Sequence, residues 1–147
     1  DAEATVMDLA GHTSGHIGFW FKDSGVLFSG DVLYPMGCGR LFEGTAEQMW
    51  SSLGALARLP TDTQVYCAHE YTASNARFAL SVDPDAAVRQ RAEAVFAARE
   101  RGEPTVPTSI GLELATNPFL RAPQLVSAPG DAEAFAQVRA AKDSFKG

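Results

Sequence analysis

The sequence predicts an α+β chain, with a sheet-containing half over residues 1–70 and a helical half over residues 71–147. Three observations predict it. Short apolar runs bounded by turn residues crowd the first half, and Ala-rich stretches dominate the second. Charge divides at the same place: residues 1–70 hold 9 acidic and 3 basic side chains, so the whole net charge of −6 lies there, while residues 71–147 hold 9 of each. All three histidines, His12, His16 and His69, also fall in the first half.

Ala4–Leu9 reads as a strand. His16–Phe21 is aromatic and apolar, Val26–Ser29 is short and apolar, and Asp23-Ser24-Gly25 between them is turn chemistry, so the two runs predict a hairpin. Thr45 offers a helix N-cap, with Gln48 completing a capping box. That helix is expected to run to about Leu59, with Met49, Trp50, Leu53, Leu56 and Ala57 on one face, and Pro60 stops it. Gln64–Cys67 is a short strand ending directly at Ala68-His69-Glu70. Beyond the boundary near Tyr71, a first helix is expected over Tyr71–Leu80. Asp83 is expected to cap a second helix that has Pro84 at its first position and ends near Arg101, with Gly102 as terminator. Glu103–Pro107 is an extended connector and Thr108–Ala115 a short helix. Asp131 is expected to cap a last helix running to about Phe145.

Composition limits the functions open to such a chain. Its 46% hydrophobic and 20% charged residues are globular values. No apolar run reaches the length of a membrane span, and no charged-then-apolar leader opens the sequence, so neither membrane insertion nor secretion is signalled. An acidic chain is a poor partner for phosphate backbones, so no nucleic acid partner is expected. Cys38 and Cys67 are too few for a disulfide scaffold. One bridge between them stays open, but free thiols in a reducing cytoplasm are favoured.

The residues suited to chemistry sit where strands end. His12 follows the first strand within Gly11-His12-Thr13-Ser14-Gly15-His16, Asp31 follows the strand Val26–Ser29, and His69 follows Gln64–Cys67. In layered α/β folds that edge is where sites are built. Imidazole and carboxylate are donors that Zn²⁺ or Fe²⁺ accepts, and one carboxylate can bridge two cations. A single histidine at a strand end is more often a hydrogen-bonded structural residue; it is the joint pattern that points to a metal site. Arg139 and Lys142, three apart on the last predicted helix, share a face. On spacing alone an ordinary solvated face is the simpler reading for them. Trp20, Trp50 and Phe78 are most simply core.

These strings, taken with Gly37-Cys38-Gly39-Arg40, Phe42-Glu43-Gly44-Thr45 and Val65-Tyr66-Cys67-Ala68-His69-Glu70-Tyr71-Thr72, resemble the metallo-β-lactamase superfamily. Gly102–Pro107 (GEPTVP), Thr116–Arg121 (TNPFLR) and Arg139–Asp143 (RAAKD) narrow the resemblance to glyoxalase II, the hydroxyacylglutathione hydrolases. The resemblance implies an αββα sheet domain, of which residues 1–70 are the second half, followed by a small helical substrate-binding domain over residues 71–147. It also implies a thiolester hydrolase that cleaves S-D-lactoylglutathione to glutathione and D-lactate in methylglyoxal detoxification, using two divalent metal ions, Zn or else Fe or Mn. Within that resemblance His12 binds one metal, Asp31 bridges both at the catalytic centre, and His69 binds the other. His16 is structural. Arg40, Phe42 and Tyr71 line the glutathione pocket, Phe42 standing where Tyr is common, and Arg139 with Lys142 grips a glutathione carboxylate.

The family's Thr-His-x-His-x-Asp-His segment, which supplies most of its metal ligands, does not occur in the sequence, and no His precedes His12. The expectation is therefore a C-terminal portion that lacks an N-terminal half-domain, holds metal poorly on its own and exposes a sheet edge and an apolar face. Three other readings stay open at this stage: another enzyme of the superfamily such as a persulfide dioxygenase, a non-catalytic binder of glutathione conjugates, and a split enzyme whose other half is a separate chain.

Overall fold

A computed structural model describes residues 2–147. Three antiparallel strands open the chain: β1 (Thr5–Asp8), β2 (Ile17–Phe21) and β3 (Val26–Gly30). Gly25, with φ of 67°, makes the turn between β2 and β3 that the Asp23-Ser24-Gly25 string predicts. β4 (Leu33–Tyr34) and β5 (Gly37–Cys38) form a small separate hairpin. After helix α1 (Ala46–Ala57), β6 (Gln64–Cys67) adds parallel to β3. The second half supplies α2 (Thr72–Val82), α3 (Ala86–Glu100), β7 (Thr108–Ser109), α4 (Ile110–Thr116), the short α5 (Ala122–Leu125) and α6 (Asp131–Asp143). The main sheet runs in the order β1-β2-β3-β6-β7, with β7 antiparallel to β6. Two antiparallel steps make β1 parallel to β3, and β6 is parallel to β3. The C-terminal ends of β1, β3 and β6 therefore share one edge of the sheet.

Alternation along the strands sends Leu27 and Val65 inward, and both are fully buried. They pack with Met49, Leu53 and Leu56 of α1, Phe135 and Val138 of α6, and Phe78 and Phe119 in one core. A satellite core joins Met36 to Ala76 and Ala79 of α2 and to Val88, Ala92 and Val95 of α3. The opposite sheet face carries a cross-strand row, Val6–Phe19–Phe28–Tyr66, in direct register. These four side chains are 58, 41, 45 and 38% exposed. Helices thus cover one face of the sheet, and among the described residues the other bears no layer. None of the described helices is long and apolar enough to cross a membrane.

Thr45 caps α1 through the full capping box with Gln48, as the sequence predicts. Elsewhere the caps differ. Asp83 does not cap α3; Asp85 does, its side chain accepting from the Ala87 N–H. Asp83 is instead buried against Arg121, Arg121 Nε donating to Asp83 Oδ2 at 2.6 Å, so Pro84 precedes the cap rather than opening the helix. Gly130, not Asp131, is the N-cap of α6, and Asp131 lies in its first turn. The short helix expected from Thr108 begins two residues later, because Thr108 and Ser109 pair with Gln64 and Val65 and extend the sheet. β4, β5 and α5 have no counterpart in the sequence reading. The first two are two residues long and fall below what a period-2 pattern can register.

Candidate functional site

Three turns deliver the proposed donors to the shared sheet edge. The bend after β1 carries His12, where Gly11 takes φ of 145° and lies so close to Met49 that a Cβ would meet its side chain at 2.7 Å. Gly30, at φ of 58°, ends β3 and delivers Asp31. The Ala68 N–H bonds the Gly30 carbonyl at 2.9 Å, drawing the end of β6, and with it His69, beside Asp31. His69 Nδ1 stands 2.9 Å from Asp31 Oδ1.

Each imidazole is oriented by its neighbours. His12 Nδ1 lies 2.8 Å from the Arg40 carbonyl, which can only accept, so Nδ1 carries the proton and Nε2 keeps its lone pair. His16 Nε2 accepts from the Asp31 backbone N–H at 3.3 Å, which suits the structural role read from the sequence. Tyr34, only 4% exposed, places its hydroxyl against Asp31 Oδ1 and 3.2 Å from His69 Nδ1. Burial raises the Asp31 carboxyl, but the Tyr34 hydrogen bond and then the fields of His69 and His12 outweigh it, and the group titrates below its ordinary value. Burial, and then the bond to Asp31, push the Tyr34 phenol far upward, so it stays protonated.

All eight residues singled out from the sequence, His12, Asp31, Arg40, Phe42, His69, Tyr71, Arg139 and Lys142, line one cleft of about 480 Å³. Tyr71 stacks on His69, with ring centroids 4.8 Å apart and planes at 8°. Phe42 meets His12 edge-on at 5.0 Å. Lys142 is half-buried above the Phe78 ring, and burial, then the repulsion of Arg139 and Arg40, lower the pKa of its ammonium. Arg139 is buried: its Nη1 donates to the carbonyls of Cys38 at 2.8 Å and Gly39 at 3.3 Å, and its Nη2 to Asp143 at 3.0 Å. Among the described residues its Nε finds no partner. Beside it, burial raises the Cys38 thiol to about 11, keeping it un-ionised.

Sequence reasoning missed Tyr34, Asn75 and Cys38 in the lining. For Tyr34 the signal was its place three residues after Asp31, but which way it points is set by the β4–β5 hairpin, which no pattern announced.

The donor types suit a divalent cation, and two imidazoles and a carboxylate meet at one cleft. Their number does not complete a coordination shell: among the described residues no group of three or more His, Cys, Asp or Glu is close enough to hold an ion.

Two family models match adjoining parts of the chain. The family model described as hydroxyacylglutathione hydrolase C-terminus matches residues 70–145, and that of the metallo-β-lactamase superfamily matches residues 2–69. A hydroxyacylglutathione hydrolase of Methylococcus capsulatus is 53% identical over 99% of this chain and 60% of its own length. One of Roseobacter denitrificans is 52% identical over 95% of this chain and 58% of its own. The chain thus spans about 60% of the length of these relatives. Among solved structures, ETHE1 from Myxococcus xanthus aligns over 93% of this chain and 44% of its own, with TM-score 0.59 and 26% identity. TTHA1623 in a di-iron-bound form aligns over 80% of this chain and 42% of its own, with TM-score 0.54 and 27% identity. The sheet edge with its three donors, the helical half beside it and these matches together assign the chain to the hydroxyacylglutathione hydrolase family of the metallo-β-lactamase superfamily.

Proposed function

We propose that this chain forms the substrate side and part of the metal site of a cytoplasmic hydroxyacylglutathione hydrolase, which cleaves S-D-lactoylglutathione to glutathione and D-lactate in methylglyoxal detoxification. The observation that carries the reading is one cleft lined both by His12, Asp31 and His69 and by the cations Arg40, Arg139 and Lys142. Glutathione is a dianion at its carboxylates, and its thiolester carbonyl is the bond to be broken. A cleft with metal donors on one wall and cations on the other suits a substrate with that layout.

In this reading His12 and His69 through Nε2 and Asp31 through its carboxylate would hold two divalent metal ions, Zn or else Fe or Mn. The chemistry divalent cations supply when bound is water ionised near neutral pH and a polarised carbonyl. Arg40 lies against the glutathione moiety and Arg139 with Lys142 grips a glutathione carboxylate, while Arg139 Nη1 also holds the Cys38 and Gly39 carbonyls beside Arg40. Tyr71 and Phe42 flank the sulfur end of the ligand with apolar surface that excludes water. Residues 1–70 serve as the metal-bearing half and residues 71–147 as the substrate-bearing half. Ligands from outside the described residues complete the metal shells. The two free cysteines agree with a reducing compartment.

The test joins this chain to the part of the Methylococcus capsulatus relative that it does not match. Chelator-sensitive hydrolysis of S-D-lactoylglutathione, lost in His12→Ala and His69→Ala, is expected. No hydrolysis by a folded, metal-loaded fusion would overturn the reading. The short donor count favours a second reading for the chain on its own, a non-catalytic binder of glutathione conjugates. Calorimetry with glutathione in chelator is expected to give heat if that holds, and none if it does not.

A further inference from the structure

We propose that Tyr34 is a positioning residue whose hydroxyl spans the Asp31 carboxylate and the His69 imidazole and fixes how these two groups face the cleft. The inference rests on reading Asp31 and His69 as metal donors. A phenol has one proton to give. Tyr34 donates that proton to Asp31 Oδ1. The oxygen of Tyr34 is then left to accept, and the group facing it at 3.2 Å is His69 Nδ1. That contact and the 2.9 Å approach of Nδ1 to Asp31 Oδ1 both require the proton on Nδ1. Nε2 of His69 is left with a free lone pair, the same state the Arg40 carbonyl imposes on His12.

A buried tyrosine hydroxyl ordinarily finds some partner. Here the partners are the two groups from the ends of β3 and β6, and the helical half sets where the hydroxyl stands. Asn117 Nδ2 donates to the carbonyls of Gly37 at 3.0 Å and Tyr34 at 3.3 Å. Asn75 Nδ2 donates to the Pro35 carbonyl at 3.2 Å, and Glu113 Oε1 accepts from the Met36 N–H at 2.8 Å. All three side chains are buried. They grip successive peptides of the hairpin turn from α2 and from the end of α4, so helices remote in sequence align a hydroxyl at the sheet edge.

Tyr34→Phe keeps the ring and removes only that hydroxyl. In the 147-residue chain, Zn²⁺ affinity measured by competition with a chromophoric chelator is expected to fall about 10- to 100-fold, the usual size of such an outer-shell loss. Tyr66→Phe, on the exposed sheet face, is expected to leave it unchanged. Equal Zn²⁺ affinity in wild type and Tyr34→Phe overturns the proposal. A wild-type chain that takes up no Zn²⁺ is what its incomplete donor set gives on its own, and the positioning role is then decided on metal-free protein. There, nitrogen NMR of His69 is expected to show the Nδ1–H tautomer in wild type and a mixture of tautomers in Tyr34→Phe; an unchanged His69 spectrum overturns the role. If Tyr34→Phe fails to fold, wild type decides: the Tyr34 hydroxyl proton must give a cross-peak to the His69 ring, and its absence overturns the proposal.

Discussion

Arg139 and Lys142 illustrate how two cations one helical turn apart come to do different work. Their shared face on α6 was readable from spacing; their environments were not, because the carbonyls that hold Arg139 belong to Cys38 and Gly39, about a hundred residues away in sequence. Arg139→Ala strands those two buried carbonyls and is expected to cost about 1–3 kcal/mol, read by urea unfolding. Lys142 is a contrasting case, since its ammonium is penalised by burial and by two neighbouring cations. With the folded pKa below the unfolded value, the penalty on the charged form is fully present at neutral pH and is relieved as pH rises from the folded pKa to the unfolded one. Lys142→Met keeps the packing on Phe78 and drops the charge. It is expected to raise Tm at pH 7, with the gain shrinking at alkaline pH, and a Tm gain independent of pH would show that packing rather than charge is responsible. A loss of glutathione binding in the same variant would locate the function that keeps this penalised charge.

Among the elements, those carrying a complete local signal were legible. Thr45 and Gln48 fix the start of α1 by themselves, and Thr45→Ala is expected to cost about 1 kcal/mol of stability, measured by thermal unfolding. The start of α3 was misread because Asp83 and Asp85 are both competent caps, and the choice between them is made by Arg121, which takes Asp83 into a buried pair. The β4–β5 hairpin lies beyond local signals altogether. Its two-residue turn is Pro35-Met36, and Met36 adopts φ of 58°, a left-handed conformation that costs an ordinary side chain about 1–2 kcal/mol. Glu113 offsets that cost by accepting the Met36 N–H, and Glu113 is itself fully buried and paired to Arg91 at 2.7 Å. Removing one partner of a buried pair leaves an uncompensated charge. Arg91→Ala is therefore expected to lower stability by about 3–5 kcal/mol and to disturb Tyr34 as well. The check is urea unfolding together with the His69 NMR signal. A large stability loss with an unmoved His69 signal would mean that the hairpin holds its turn without the Arg91–Glu113 pair.

At the scale of the molecule, the sequence conveyed the strand-end pattern because each donor follows its own strand within a few residues. It also conveyed the alternation of β2 and β3, yet not which side of the sheet the helices would take, since α6 and Phe119 arrive from the far end of the chain. The outcome is a sheet whose inner face is sealed by helices while Val6, Phe19, Phe28 and Tyr66 form an apolar row in register on the other. Four neighbouring large side chains are more than the scattered apolar residues a soluble surface normally shows. Among the described residues β1 also ends the sheet with an open edge, which invites pairing with another strand. The cleft lies at the C-terminal strand ends and not on this face, so the two surfaces can be changed separately. Phe19 and Phe28 are direct cross-strand partners, and a Phe19→Lys, Phe28→Glu double variant replaces the centre of the row with an opposite-charge pair suited to that geometry. The unaltered chain is expected to bind a hydrophobic dye and to self-associate with rising concentration, and the double variant to lose both properties while keeping its Zn²⁺ affinity. Self-association that persists in the double variant would assign it to the β1 edge, and a fall in Zn²⁺ affinity would show that the face and the cleft are coupled through the sheet.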